Sequence, residues 1–462
     1  MLPQIRTRIP GPRSTSLAEE LKKYEPSGMT GVGKGQVPVF WARAEGANVE
    51  DVDGNVFIDC TSAFGVAAVG HRDELVVSAI KRQAERLVHG MGDVFPHEPR
   101  VQVSKDIVRT VGRHRDSRVI LVNTGSEAIE VAIKTVVLHT RKPGIVSFYG
   151  GFHGQSMGAL SVSSQRDLRD PFIAQIATGT TFVPFPNPYR PPFGMSSSNV
   201  TTACLDHVDA VLSGRVSGAP PIGGVVVEPI QGLNGCIVPP DDYLVGLRRL
   251  CDDHGVLMIA DEIFTGYGRT GAWLAVDHVK VVPDIVCVGK GMTGGLPLAA
   301  VVADSNIMAA WEAPGFVALH GSTFMANPMC CAAASAAINQ LESNDLVGRA
   351  SSKGQHLREE LARLESKYDL VGDVRGKGMA LAIELVRDRS SKMPAPEEAS
   401  ELAAFALQRG VLLVVTGYPR GNVIGAYPPL VISDEQIDYV VDTLDEGLER
   451  VSRSLGGPCY VR

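Results

Sequence analysis

A chain of 462 residues with 44% apolar content can build one large core and a smaller companion, so two domains are expected from length alone. Its 44 basic residues against 51 acidic give a net charge of −7 without any Lys/Arg block, and aromatics reach only 6%, which argues against nucleic acid as a principal partner. No run approaches the roughly 18 to 20 apolar residues of a membrane span, the N-terminal MLPQIRTRIPGPRSTSLAEELKKY lacks an apolar signal core, and the eight cysteines form no CxxC pair. A cytoplasmic protein with buried, reduced thiols and no membrane partner is therefore expected.

Pro and Gly punctuate residues 1–40. There GMTGVGKG (28–35) spells the G-x4-G-K of a phosphate loop, but Gly35 stands where a Ser or Thr would hold magnesium and no strand precedes it, which disfavours a nucleotide triphosphate site. NVEDVDGNVFIDC then reads as a hairpin with Asp53-Gly54 at its turn. From about Thr61 to Ala333, helical windows such as DELVVSAIKRQAERLV alternate with short apolar runs. These are RVILVN (118–123), GIVSFY (144–149), IGGVVVEP (222–229), VLMIADE (256–262) and DIVCVG (284–289). Unalternated Val/Ile runs separated by helices predict a mostly parallel sheet covered on both faces, with function at the carboxyl ends of its strands. After the Ala-rich helix CCAAASAAINQLE the texture changes. LREELARLESKY, VRGKGMALAIELV, ASELAAFALQRGVLLVV and DEQIDYVVDTLDEGLERV suggest helices packed on a small sheet. The expected division is a large domain over 61–334, with 1–60 and 335–462 forming the smaller one.

Polar residues collect at the predicted strand ends. In ILVNTGSEAIEVAIK (120–134) a strand, a tight turn and a helix from near Ser126 present Asn123, Thr124, Gly125 and Ser126 at a helix N-terminus, where an anion such as phosphate is favoured. An ordinary cap on Ser126 fits equally well. SFYGGFHGQSMGAL (147–160) sets Phe152 and His153 among glycines, where an aromatic side chain can lie flat against a planar ring. Asp261 ends the apolar run VLMIAD, and a carboxylate there needs a partner, which a protonated ring nitrogen would supply; a helix cap or a salt bridge to Arg269 are the alternatives. The nearby GYGRTG (266–271) also spells GxGxxG, but Asp261 and Glu262 would repel a pyrophosphate and no helix clearly begins at Gly266. Finally Lys290 follows the run IVCV. An anion nest, an aromatic plate, a buried carboxylate and a lysine at one sheet edge form the set that pyridoxal phosphate needs.

The order DVDGNVFID, NTGSEA, GFHG, EPIQG, ADEIFTGYGRTG, GKGMTGGLPLAAV, GSTFMANP and DVRGKGMALAIEL, from about Gly33 to Leu430, resembles the class III (omega-) aminotransferases, which are fold-type I enzymes dependent on pyridoxal 5′-phosphate. The resemblance implies an α/β fold in which a large domain with a mostly parallel seven-stranded sheet carries a smaller α+β domain. By the same resemblance Lys290 is the Schiff-base lysine and proton shuttle, and Asp261 pairs with the pyridine nitrogen. Ile263 and Phe152 cover the two ring faces, with His153 beside them, while Gly125 and Ser126 bind the phosphate. Thr323 reaches in from the second subunit of a homodimer with shared active sites. On the substrate side, Arg375 grips the α-carboxylate of glutamate or 2-oxoglutarate, Glu228 neutralises Arg375 when that carboxylate is absent, and Phe64 lines the pocket.

Three positions depart from the family pattern. Gln155 stands where 4-aminobutyrate aminotransferases carry an arginine for the distal carboxylate, and a neutral amide cannot replace a guanidinium there. Asp93 falls where relatives often carry a neutral pocket residue, which suits a cationic substrate. Phe264 replaces a frequent glutamine and makes the pocket floor more apolar. The expected activity is transfer of an amino group between glutamate or 2-oxoglutarate and an aldehyde or ketone of a cationic, non-carboxylate molecule, a diamine or an amino sugar, by a ping-pong cycle. An omega-amino acid aminotransferase, or an aminomutase or epimerase on the same fold, are the alternatives. A non-enzymatic binding protein is disfavoured because Lys290 and Asp261 are both present.

Overall fold

The computed structural model describes residues 1–31, 37–176, 179–215, 218–312 and 318–454. Residues 32–35, half of the phosphate-loop-like stretch, lie outside the described residues. Near the N-terminus β1 (Trp41–Glu45), β2 (Asn48–Asp51) and β3 (Val56–Asp59) form an antiparallel meander. Its second turn is the expected Asp53-Gly54, with Gly54 at φ +82° and the Asp51 carboxylate accepting from the N–H groups of Asp53 and Asn55.

The centre of the molecule is a seven-stranded sheet. Its strands are β4 (Ser117–Val122), β5 (Gly144–Phe148), β6 (Thr180–Val183), β7 (Ile222–Val227), β8 (Leu257–Asp261), β9 (Ile285–Val288) and β10 (Ala299–Asp304). The spatial order is β4-β10-β9-β8-β7-β5-β6, and every pairing is parallel except those of β10, which runs antiparallel to both β4 and β9. All five apolar runs read from the sequence are strands. β7 is buried along its whole length and apolar clusters lie on both sides of the sheet, as two-faced burial of Val/Ile runs requires.

Downstream, β11 (Val371–Lys377) and β12 (Ala380–Asp388) make a hairpin from VRGKGMALAIELV, joined by β13 (Met393–Pro394), β15 (Val414–Thr416) and β16 (Val423–Ala426) in the order β11-β12-β16-β15 with β13 on β12. Between these, β14 (Val411–Leu412) pairs in parallel with β3 and so ties the N-terminal meander to the C-terminal part of the chain. The helices Leu346–Lys367 and Pro396–Gln408 pack on these strands, and the helix Asp434–Ser454 packs on both of them. Residues 334 and 335, the expected domain boundary, fall inside the helix Pro328–Ser343, which packs against the helices Glu74–Ala84 and Glu98–Val111. Among the described residues no helix is long and apolar enough to cross a membrane, and no group of three or more His, Cys, Asp or Glu is placed to hold a metal ion. The seven described cysteines are buried and unpaired.

Candidate active site

Lys290 begins the short helical turn Lys290–Met292 directly after β9 and adopts φ +41°, a left-handed conformation that is costly for a residue with a Cβ. Its Nζ lies 5.1 Å from the centroid of the Phe264 ring. Burial pushes the ammonium below its ordinary pKa, while the Asp261 and Glu228 carboxylates pull the other way without cancelling the shift. A lysine whose amine is held over a ring and made easier to deprotonate suits chemistry better than a charge reaching for solvent.

Asp261 is the last residue of β8 and its charge acts on Lys290. Its Oδ2 is 2.6 Å from His153 Nδ1 and its Oδ1 accepts from Ile263 N at 3.1 Å. The alternative partner, Arg269, is engaged elsewhere, donating to the carbonyls of Met379 and Pro428 and to Ser62 Oγ. Burial works to lower the pKa of His153, but the bond to Asp261 and the charges of Asp261 and Glu228 prevail and raise it. The resemblance implies that His153 lies beside the ring; in the structure its imidazole bonds the Asp261 carboxylate and orients it. Only the proximity of the ends of β5 and β8 makes that bond possible, and no spacing in the sequence encodes it.

The helix Gly125–Thr140 starts at the end of β4, and its cap is Thr124 rather than Ser126. Thr124 Oγ1 accepts from Glu127 N at 3.2 Å, and Glu127 Oε2 accepts from the N–H groups of Asn123 at 2.7 Å and Thr124 at 3.3 Å. This box leaves the N–H groups of Gly125 and Ser126, which have no partner within a helix at that position, to meet an anion. A methyl group on Gly125 would stand 3.0 Å from Ile263 Cδ1, so nest and ring platform touch. Ser126 Oγ accepts from Gln155 N at 3.4 Å. Ser322 also meets the rim of this nest from the same chain, its Oγ accepting from Asn123 Nδ2 at 2.6 Å, and the neighbouring Thr323 is exposed. No motif spacing points to the Ser322 contact, which joins residues 199 positions apart.

Glu228 follows β7 and accepts from Phe152 N at 2.8 Å and Gly232 N at 2.9 Å. Burial pushes its carboxyl up to about 7, although both N–H bonds and the charge of His153 oppose the rise. The expected pairing of Glu228 with Arg375 is not what the structure shows. Arg375 Nη1 lies 2.7 Å from both Asp373 Oδ2 and Glu384 Oε2, and Nε donates to Gly235 O at 2.7 Å, which leaves an enclosed Nη2 without a partner among the described residues. A bidentate carboxylate grip would therefore have to displace one of two existing ion pairs. Arg375 opposes Ala382 across the β11–β12 hairpin, whose register brings Glu384 close, and register is not visible in sequence. Phe64, Asp93 and Gln155 are all exposed in the chain.

The residues fit pyridoxal 5′-phosphate. The N–H groups of Gly125 and Ser126 in the first turn of the helix suit its phosphate, Ile263 and Phe152 offer apolar faces, Asp261 backed by His153 can hold a ring N–H, and Lys290 supplies the amine. A family model described as aminotransferase class-III matches residues 29–448. A 4-aminobutyrate aminotransferase of Mycobacterium leprae is 36% identical over 98% of each chain. A leucine/methionine racemase of Thermococcus litoralis is 34% identical over 90% of each. Among solved structures, an amine transaminase from an uncultivated Pseudomonas species in its PLP-bound form is 32% identical with a TM-score of 0.85, covering 93% of this chain and 98% of that one.

Proposed function

Because the chain belongs to the class III aminotransferase family of fold-type I enzymes, with pyridoxal 5′-phosphate as cofactor, we propose that it exchanges an amino group between glutamate or 2-oxoglutarate and the aldehyde or ketone of a cationic, non-carboxylate molecule, a diamine or an amino sugar. When bound, the cofactor supplies the carbonyl that takes up the amine and the electron sink that makes the neighbouring carbon acidic. Lys290, with its lowered pKa, takes and returns the proton at that carbon. Asp261 holds the proton on the ring nitrogen, oriented by His153. Ile263 and Phe152 would cover the faces of the ring and exclude water from them.

The observation that carries the choice of substrate is the state of Arg375. An amine without a carboxylate leaves its ion pairs to Asp373 and Glu384 intact, whereas glutamate or 2-oxoglutarate has to replace one of them. Neutral Gln155 and acidic Asp93, both exposed, add to the preference for a cation. Relatives described as 4-aminobutyrate aminotransferases support an omega-amino acid as the alternative donor, against which Gln155 stands. The racemase relative supports a second reading, an isomerase that needs no keto acid. We further propose a homodimer in which Thr323 of one subunit completes the phosphate site of the other. The exposed apolar side chains of Val88, Met91, Phe95 and Phe324 support such a contact.

Asp93→Asn tests the substrate class. The KM for a diamine or amino sugar is expected to rise severalfold, in line with about 1 kcal/mol for an exposed ion pair, while the glutamate half-reaction is unchanged. Should 4-aminobutyrate exceed every diamine and amino sugar in kcat/KM, the proposed substrate class is wrong.

A further inference from the structure

Four consecutive residues beside Lys290 have positive φ: Ser62 (+48°), Ala63 (+48°), Phe64 (+60°) and Gly65 (+86°). Only the last is a glycine. One turn of left-handed backbone through three residues that carry a Cβ is disfavoured and persists only where its surroundings over-determine it.

The surroundings do so through one buried hydroxyl. Ser62 Oγ donates to the Tyr427 carbonyl at 2.5 Å and accepts from Arg269 Nη2 at 3.1 Å. Arg269 is only 1% exposed, and none of its hydrogen bonds among the described residues goes to a carboxylate; Nη1 is spent on the carbonyls of Met379 and Pro428. Burial accordingly lowers its pKa to about 10. A guanidinium buried in this way is costly to keep, and the groups it joins are the left-handed turn and two backbone segments of the C-terminal part of the chain. Thr61 adds a second brace, its Oγ1 accepting from Ala63 N at 3.1 Å and donating to Asp59 Oδ1 at 2.6 Å.

The turn has two outward consequences. A methyl group on Gly65 would lie 3.2 Å from the Phe264 ring and 3.8 Å from Lys290 Cδ, so the turn is pressed against the wall of the lysine's slot. At its tip the Phe64 side chain is 74% exposed, more than the half-buried Phe264 that the turn presses against. We propose that Ser62 and Arg269 are positioning residues, which hold the left-handed turn so that Phe64 stands at the mouth of the Lys290 slot and selects amines by the bulk of the group they carry. This rests on the reading of Phe64 as a residue of the substrate pocket.

The test is a double-mutant cycle on the full-length holoenzyme with a panel of primary amines of increasing bulk. Phe64→Ala is expected to change KM across the panel, with the largest change for the bulkiest amines. Ser62→Ala, by releasing the turn, is expected to shift KM in the same order of amines by about tenfold, with a smaller change in kcat. In the Phe64→Ala background, Ser62→Ala is expected to alter KM less than twofold, because its effect passes through Phe64. The visible absorbance of the bound cofactor stays the same throughout. Ser62→Gly, which removes the hydroxyl but tolerates the left-handed φ, replaces Ser62→Ala if that variant does not fold, with the same coupling expected. Multiplicative, uncoupled effects, or no effect of either Ser62 variant while Phe64→Ala changes KM, overturn the positioning role. No effect of Phe64→Ala on any amine overturns the reading of Phe64 itself.

Discussion

Replacing Lys290 with alanine is expected to lower kcat by roughly 10² to 10⁴-fold, the range lost when a positioned acid or base is removed. The side chain combines two properties that no neighbour duplicates. Its Nζ is held over the Phe264 ring, and burial makes its proton easier to lose. Alanine at 290 keeps the left-handed φ but removes the amine, so circular dichroism and thermal unfolding are expected to stay close to those of the parent protein. Borohydride reduction of the parent holoenzyme is expected to leave the cofactor's mass on the peptide that carries Lys290, and to leave none in Lys290→Ala. Full turnover in the variant would remove the basis of the assignment.

Asp261→Asn is expected to cost roughly 10² to 10³-fold in kcat, comparable with losing one preorganised electrostatic contact to a developing charge. An amide can still accept from His153 Nδ1, now 2.6 Å from the carboxylate, so the local geometry survives. What it lacks is the negative charge that keeps a ring nitrogen protonated. The same substitution has a second readout, because the carboxylate, more than Glu228, is what raises the pKa of His153 against its burial. Without it burial prevails, and the histidine is expected to titrate below its ordinary value in an NMR titration. An unchanged histidine with reduced turnover would place the loss elsewhere than in this pair.

Lys290, Asp261 and the nest at Gly125 and Ser126 were legible in the sequence because each ends an unalternated apolar run, and such runs mark the strands of a two-faced sheet. The strands β6 and β10 were harder to read, one because it is short and rich in Thr, the other because alanines dilute its apolar signal. Spatial pairings were not legible at all. His153 and Asp261 are 108 residues apart in the chain and meet only because β5 and β8 flank β7 in the sheet. The Arg375 ion pairs depend on hairpin register, which sets Glu384 against a guanidinium that motif spacing alone would leave free. Thr124 displaced Ser126 as the helix cap because Glu127 lies three residues after it and closes the reciprocal box.

Transfer of an amino group to and from the cofactor can be followed in one half of the cycle, without a second substrate. The purified holoenzyme is mixed with a single donor, glutamate, a diamine or an amino sugar in turn, with no carbonyl acceptor, and the absorbance of the cofactor is followed. The expected result is stoichiometric conversion from its aldehyde to its amine form, with diamines or amino sugars as active donors alongside glutamate. Absence of conversion with every donor, while a chiral amine loses its optical activity over the same bound cofactor, would contradict transamination and establish the isomerase instead.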